Sequence, residues 1–193
     1  TGGLSVIAVI GFGSLIWDLD NLSPHVRGGW KMYAGPRLPV EFSLVSKKRL
    51  GALALVIDHR DGSECPTCVI ESRRPDLQSA AQDLALRERT DIQNIGLFDR
   101  HSGLARGAEQ GTLDSVARWI ESTPYDSAVW TDGKSNFAEH TGAEFDLDAA
   151  QRHLASLNEL SRREAQRYIQ NAPRRVDTAL RRAVSQSSWW QTR

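Results

Sequence analysis

Strand patterns crowd the first half of this chain and helical patterns the second, and that order constrains the fold more than any other feature. Leu4 to Ile10 is a β-branched apolar run ended by glycine, the pattern of a strand buried on both faces. Val40-Glu41-Phe42-Ser43-Leu44-Val45 alternates as a half-buried strand does, and Ala52 to Ile57 is apolar enough to be central. Asp58 to Gly62 supplies turn chemistry, so Cys65 to Ser72 is expected to return as a hairpin partner. Pro75-Asp76 opens a helix that runs to Thr90, with Asp76 capping its first N–H groups. Further strands are expected around Gly96 to Asp99 and at Ala128 to Thr131, with a helix at Leu113 to Glu121 between them. Asp146 is expected to cap a long helix from about Leu147 to Gln170, and a last helix follows from about Arg174 to Ser185. This is not the regular strand–helix alternation of a doubly wound parallel sheet. It predicts an α+β fold, with a mixed or antiparallel sheet curled into a partly closed barrel and flanked by helices. No repeat or low-complexity linker marks a boundary, so residues 1–193 are expected to form one domain.

Composition removes several function classes. With 40% hydrophobic and 25% charged residues the chain can bury a core, which separates it from disordered sequences. Lys plus Arg and Asp plus Glu each number 24, so no global field recruits nucleic acid or an anionic membrane. Arg174, Arg175, Arg181 and Arg182 read as a solvated helix face. The apolar stretch Ser5 to Trp17 is too short to span a bilayer and has no basic residues ahead of it, so a cytoplasmic protein is expected. Thr1-Gly2-Gly3 is set aside from the fold argument as a processing remnant. Cys65 and Cys68 form a lone pair with no second set of zinc ligands, and their flanks suggest a strand rather than a redox helix N-terminus. They are expected to be buried small hydrophobes.

Two features carry chemistry. In the loop Gly11-Phe12-Gly13-Ser14-Leu15, the glycines permit backbone conformations and close approach that side chains forbid. The N–H groups of Gly13, Ser14 and Leu15 can then converge on an anion; a tight structural turn explains the same glycines. A dinucleotide fingerprint fails at Ile16, where a third small residue is required. In the helix after Asp76, a 100° projection places Leu77, Ala80, Ala81, Leu84 and Glu88 on one stripe, with Arg87 and Arg89 on its flanks. Leu86 falls opposite, which suggests that the helix is covered on a second face. A carboxylate therefore stands where an apolar residue is due, in the last turn, where the helix dipole disfavours it. Glu88 either reaches solvent or an arginine, or is a partly desolvated carboxylate suited to accepting and returning a proton.

The string Val9-Ile10-Gly11-Phe12-Gly13-Ser14-Leu15-Ile16-Trp17 resembles the signature of the γ-glutamyl cyclotransferase-like superfamily. That signature is Tyr-Gly-Ser-Leu, often followed by Ile-Trp in the branch related to the glutathione-degrading cation-transport regulator proteins. Leu86-Arg87-Glu88 is similar to the family's later Leu-x-x-Arg-Glu region, whose Glu is the catalytic acid/base. Looser similarity extends through Phe42 to Ser46 and Tyr168 to Pro173, and the main departure is Phe12, where the family usually has Tyr. The resemblance implies a small mixed barrel with packed helices and a small-molecule γ-glutamyl substrate whose α-amine attacks its own γ-carbonyl. The products are 5-oxoproline and a released amine or amino acid. It implies Glu88 as acid/base, Phe12, Gly13, Ser14 and Leu15 as the substrate-binding residues, and a reaction that needs neither metal nor organic cofactor. Ser14 and Arg49 can orient the substrate further, although the Ser14 hydroxyl can instead close the turn and Arg49, near a turn, can be a solvated surface residue; Trp130, Asn136 and Tyr168 are candidate pocket walls, but aromatic residues at helix or strand spacing are usually core. A Ser–His–acid hydrolase is disfavoured, because the five histidines are scattered and Ser14 lacks a nucleophile elbow. A binding module that retains a γ-glutamyl or other carboxylate ligand without turning it over stands as the alternative. The leaving group and the oligomeric state are left open, with Trp189-Trp190 able to dock on the same chain or on a second copy.

Overall fold

A computed structural model of the protein describes residues 5–190. Leu4 and the Thr1-Gly2-Gly3 segment lie outside the described residues. The chain forms an α+β structure that divides into two compact units, residues 5–38 with 66–133 and residues 39–65 with 134–190.

The strands are β1 Ile7–Gly11, β2 Val26–Lys31, β3 Arg37–Ser46, β4 Ala52–Ile57, β5 Ser63–Pro66, β6 Cys68–Ser72, β7 Ile95–Asp99, β8 Ala105–Arg106 and β9 Ser127–Thr131. The helices are α1 Leu77–Glu88, α2 Gln110–Ile120, α3 Phe137–Thr141, α4 Leu147–Ser156, α5 Glu159–Asn171 and α6 Ala179–Ser185. In the first unit six strands form one sheet in the order β2-β6-β1-β9-β7-β8. β1 pairs antiparallel with β6 and parallel with β9, which makes the sheet mixed. β1 is central and buried along its whole length, as its continuous β-branched run requires. Its Ile7 and Val9 join Ile70, Ile95, Leu97 and Val129 of neighbouring strands in a core closed by Ala80, Ala81, Leu84 and Ala85 of α1.

Helix α1 begins where the sequence indicates. The Asp76 carboxylate accepts from the N–H of Ser79 at 2.8 Å and from its hydroxyl at 2.9 Å. It ends just after Glu88, with Arg89 in the left-handed region at φ 53° and the N–H of Thr90 donating to Ala85 O at 3.1 Å. The second face expected from Leu86 is not covered: that side chain is 67% exposed, and Arg87 is buried in its stead.

The expected hairpin is replaced by a change of sheet. In the second unit the strand order is β4-β3-β5, with β4 antiparallel to β3. The run from Cys65 to Ser72 breaks at Thr67, and its second half, β6, pairs with β1 and β2. The long helix expected to Gln170 is two helices, because the Asn158 side chain accepts from Ser161 N–H at 2.9 Å and starts α5 afresh. The last helix begins later than expected, at Ala179, capped by the Thr178 hydroxyl. Arg181 is not a solvated surface cation; it donates to the carbonyls of Ala172, Pro173 and Val176 at 2.7–2.9 Å. Trp190 is buried in its own chain, with its carbonyl accepting from Gln166 Nε2 at 2.6 Å. Among the described residues no helix is long and apolar enough to cross a membrane.

Candidate active site

β1 ends at Gly11, and the chain turns at once through residues 13–17. Neither Gly11 nor Gly13 has a left-handed φ, so the loop does not draw on glycine's conformational freedom. What Gly11 supplies is room: a Cβ there would lie 2.6 Å from Cη2 and 2.9 Å from Cζ3 of Trp30 on β2. Ile16 N–H donates to Gly13 O at 3.0 Å and Asp18 N–H to Ser14 O at 2.9 Å, so the turn winds like the start of a helix. The side chains of Phe12 and Leu15 are buried, and Leu15 belongs to the core beneath α1. Among the described residues, nothing accepts a hydrogen bond from the N–H of Gly13, Ser14 or Leu15. Gly13 and Leu15 are buried and Ser14 half-buried, and the first N–H groups of a helical turn have no partner within it, so these groups call for an acceptor from solvent or a ligand.

The C-terminal turn of α1 comes to this loop through Arg87. Its side chain is 2% exposed, and its Nε and Nη2 donate to Asp18 O at 3.2 and 2.6 Å. Nη2 also donates to Ser14 Oγ at 3.3 Å. Nη1 stands 3.5 Å from a carboxylate oxygen of Glu88, whose side chain is 23% exposed. Glu88 is thus neither lost in the core nor fully solvated. Its carboxylate stands at the partly open end of the helix, against a buried cation that also grips the turn. The structure brings together Gly13, Ser14, Leu15 and Glu88 in the first unit and adds Arg87, which helical projection assigned to a flank. Beyond the place of Arg87 beside Glu88 in the motif, the signal for its role lies in contacts with Ser14 and Asp18, some seventy residues away in sequence.

No family model matches this chain, nor does any curated protein or solved structure.

The remaining residues singled out in the sequence have structural surroundings. Trp130 is fully buried on β9, with its indole N–H 3.2 Å from Asp132 Oδ1. In the second unit, Asn136 bridges the backbone of Val45 through its side chain at 2.7 and 3.0 Å, and the Tyr168 hydroxyl accepts from Leu55 N–H at 3.1 Å. Arg49 belongs to that unit too, where its guanidinium lies 4.9 Å over the Tyr168 ring and 4.0 Å from Glu164. Cys65 and Cys68 are buried and not joined in a disulfide; burial raises the Cys68 thiol, against a lowering by the N–H of Tyr33. Among the described residues no three His, Cys, Asp or Glu side chains gather as metal ligands would.

Proposed function

We propose that this chain is a γ-glutamyl cyclotransferase-like enzyme, and that its mixed sheet belongs to the small, partly closed barrel of that superfamily. The observation that carries the reading is the row of N–H groups at Gly13, Ser14 and Leu15 that find no acceptor among the described residues, tied through Arg87 to the helix end that bears Glu88. The resemblance of Gly13-Ser14-Leu15 and Arg87-Glu88 to the family's two motifs supports the same assignment.

In this reading the three N–H groups hold the α-carboxylate of the γ-glutamyl substrate, and the chain folds back until its α-nitrogen faces the γ-carbonyl carbon. Glu88 takes a proton from the α-ammonium. The freed amine forms a new C–N bond at the γ-carbon and gives up a second proton, and the original amide C–N bond breaks as both protons pass by way of Glu88 to the departing nitrogen, which leaves as an ammonium while the ring nitrogen keeps one hydrogen. The products are 5-oxoproline and an amine or amino acid, and no redox step or external nucleophile is involved. Phe12 favours a second reading, a carboxylate-binding module, because the family's tyrosine hydroxyl is absent at that position.

The test is incubation of the protein with a panel of γ-glutamyl amines, dipeptides and glutathione, with 5-oxoproline followed by mass spectrometry. Glu88→Gln is expected to lower the rate by about 10²–10⁴-fold, the usual contribution of a general acid/base. Full 5-oxoproline production by Glu88→Gln overturns the assignment, and binding of the panel without any product favours the module.

A further inference from the structure

A guanidinium taken from water must find acceptors for its donors, and the acceptors that Arg87 finds lie within and just after the candidate cradle. Ser14 Oγ stands at the start of the turn and Asp18 O at its end, gripped together by Nη2 at 3.3 and 2.6 Å, with Nε adding a second bond to Asp18 O at 3.2 Å. The turn is also held by the backbone bonds Ile16 N–H to Gly13 O and Asp18 N–H to Ser14 O. One buried side chain therefore ties the middle of the Gly13–Leu15 segment, whose N–H groups no acceptor among the described residues claims, to the carbonyl of Asp18 beyond it. The same guanidinium pairs with Glu88 through Nη1 at 3.5 Å.

We infer that Arg87 is a positioning residue: it braces the turn from Ser14 to Asp18 so that the N–H groups of Gly13, Ser14 and Leu15 stay open to a carboxylate. Only the kinetic consequences rest on the cyclotransferase reading; the bracing is a property of the turn itself. A lysine cannot replace it, because a single ammonium on a flexible stem does not reproduce the planar fork that reaches Asp18 O twice and Ser14 Oγ at once.

The experiment is Arg87→Lys, read in two ways. A loosened cradle weakens binding of the α-carboxylate in ground and transition states alike. KM is therefore expected to rise about ten-fold, equivalent to about 1.4 kcal/mol, while kcat stays within about three-fold. Amide hydrogen exchange at Ile16 and Asp18 is expected to quicken by about ten-fold, with Val9 and Ile10 in β1 unchanged. Unchanged KM with unchanged exchange overturns the inference. Equal losses in kcat and kcat/KM also overturn it, since they place Arg87 in the transition state rather than behind the turn. If wild-type protein turns over no member of the panel, the cyclotransferase reading fails while the exchange measurement still decides the brace. If Arg87→Lys does not fold, the wild-type Arg87 Nε–H decides: protection from solvent exchange in NMR supports the clamp, and exchange at the rate of an exposed arginine overturns it.

Discussion

Gly11→Ala isolates why a glycine stands at the mouth of the site. Its Cβ would lie 2.6 and 2.9 Å from two ring carbons of Trp30 and 3.4 Å from Ile16 Cγ1. Carbon atoms rest at about 3.5–4.0 Å, so the indole must move by about 1 Å. Trp30 is half-buried and packs on the core that holds Val9, Leu22 and Val26, so that movement disturbs well-packed neighbours. Overpacking of this kind costs about 1–3 kcal/mol, and in a chain of this length each kcal/mol lowers Tm by about 2–4 °C. The assay is urea and thermal unfolding by far-UV circular dichroism of four proteins: wild type, Gly11→Ala, Trp30→Ala and the double variant. Because Gly11 does not occupy the left-handed region, its alanine should be tolerated within about 0.5 kcal/mol once the ring is gone. The cycle should then show a coupling of about 1–3 kcal/mol between the two positions. An undiminished cost of Gly11→Ala in the Trp30→Ala background refutes the steric argument and returns the glycine to a backbone role.

Two further outcomes test the packing. Leu84→Ala removes a fully buried side chain beneath α1 and is expected to cost about 2–5 kcal/mol, whereas Leu86→Ala, two residues on and 67% exposed, stays within about 0.5 kcal/mol; equal costs in urea unfolding would mean that the helix is rotated from this orientation. In the second unit, burial holds the Glu41 carboxyl above its ordinary range; nearby Asp58 adds to this, while the N–H groups of Phe42 and Leu180 and the Thr178 hydroxyl oppose it. The native state thus keeps this proton to higher pH than the unfolded chain, and the associated stability is full below the ordinary Glu value of about 4.3 and lost as pH rises through the raised one. Relative to Glu41→Gln, wild-type stability should therefore fall as pH increases from about 4.5 toward neutrality in urea titrations; a pH-independent difference would show that Glu41 does not titrate there.

Features set by local chemistry were legible in the sequence, and those set by distant partners were not. Ala52 to Ile57 and the Asp76 cap follow from a continuous apolar run and a side-chain acceptor three residues from its donor, and the structure has both. The break before α5 had a local signal in Asn158, but apolar spacing that continued across it masked the cap. Strand β2 was missed because Gly28 and Gly29, at φ 82° and 67°, interrupt any alternation and sit where the register with β6 shifts. The partner of residues 68–72 could not be read locally, since choosing β1 over β4 depends on pairing between strands far apart in sequence. The glycine loop and Glu88 were visible as a motif and as a carboxylate out of pattern. Arg87 belongs to the same motif, but its burial could not be read locally, because the reason for it is a carbonyl oxygen on another segment.

The end of α1 runs against helix economy in a consistent direction. Glu88 is the last helical residue, where the C-terminal pole repels negative charge, and the residue that closes the helix is an arginine in a left-handed conformation that glycine would adopt without strain. Arg87 offsets the charge of Glu88, but its hydrogen bonds go to the turn after β1 rather than to the helix's own terminal carbonyls. A cation that stabilises a helix end binds that end; this one binds the loop and faces the carboxylate. The arrangement therefore trades helix stability for a braced turn whose N–H groups at Gly13, Ser14 and Leu15 stay open beside Glu88, as the proposed binding of the substrate carboxylate requires.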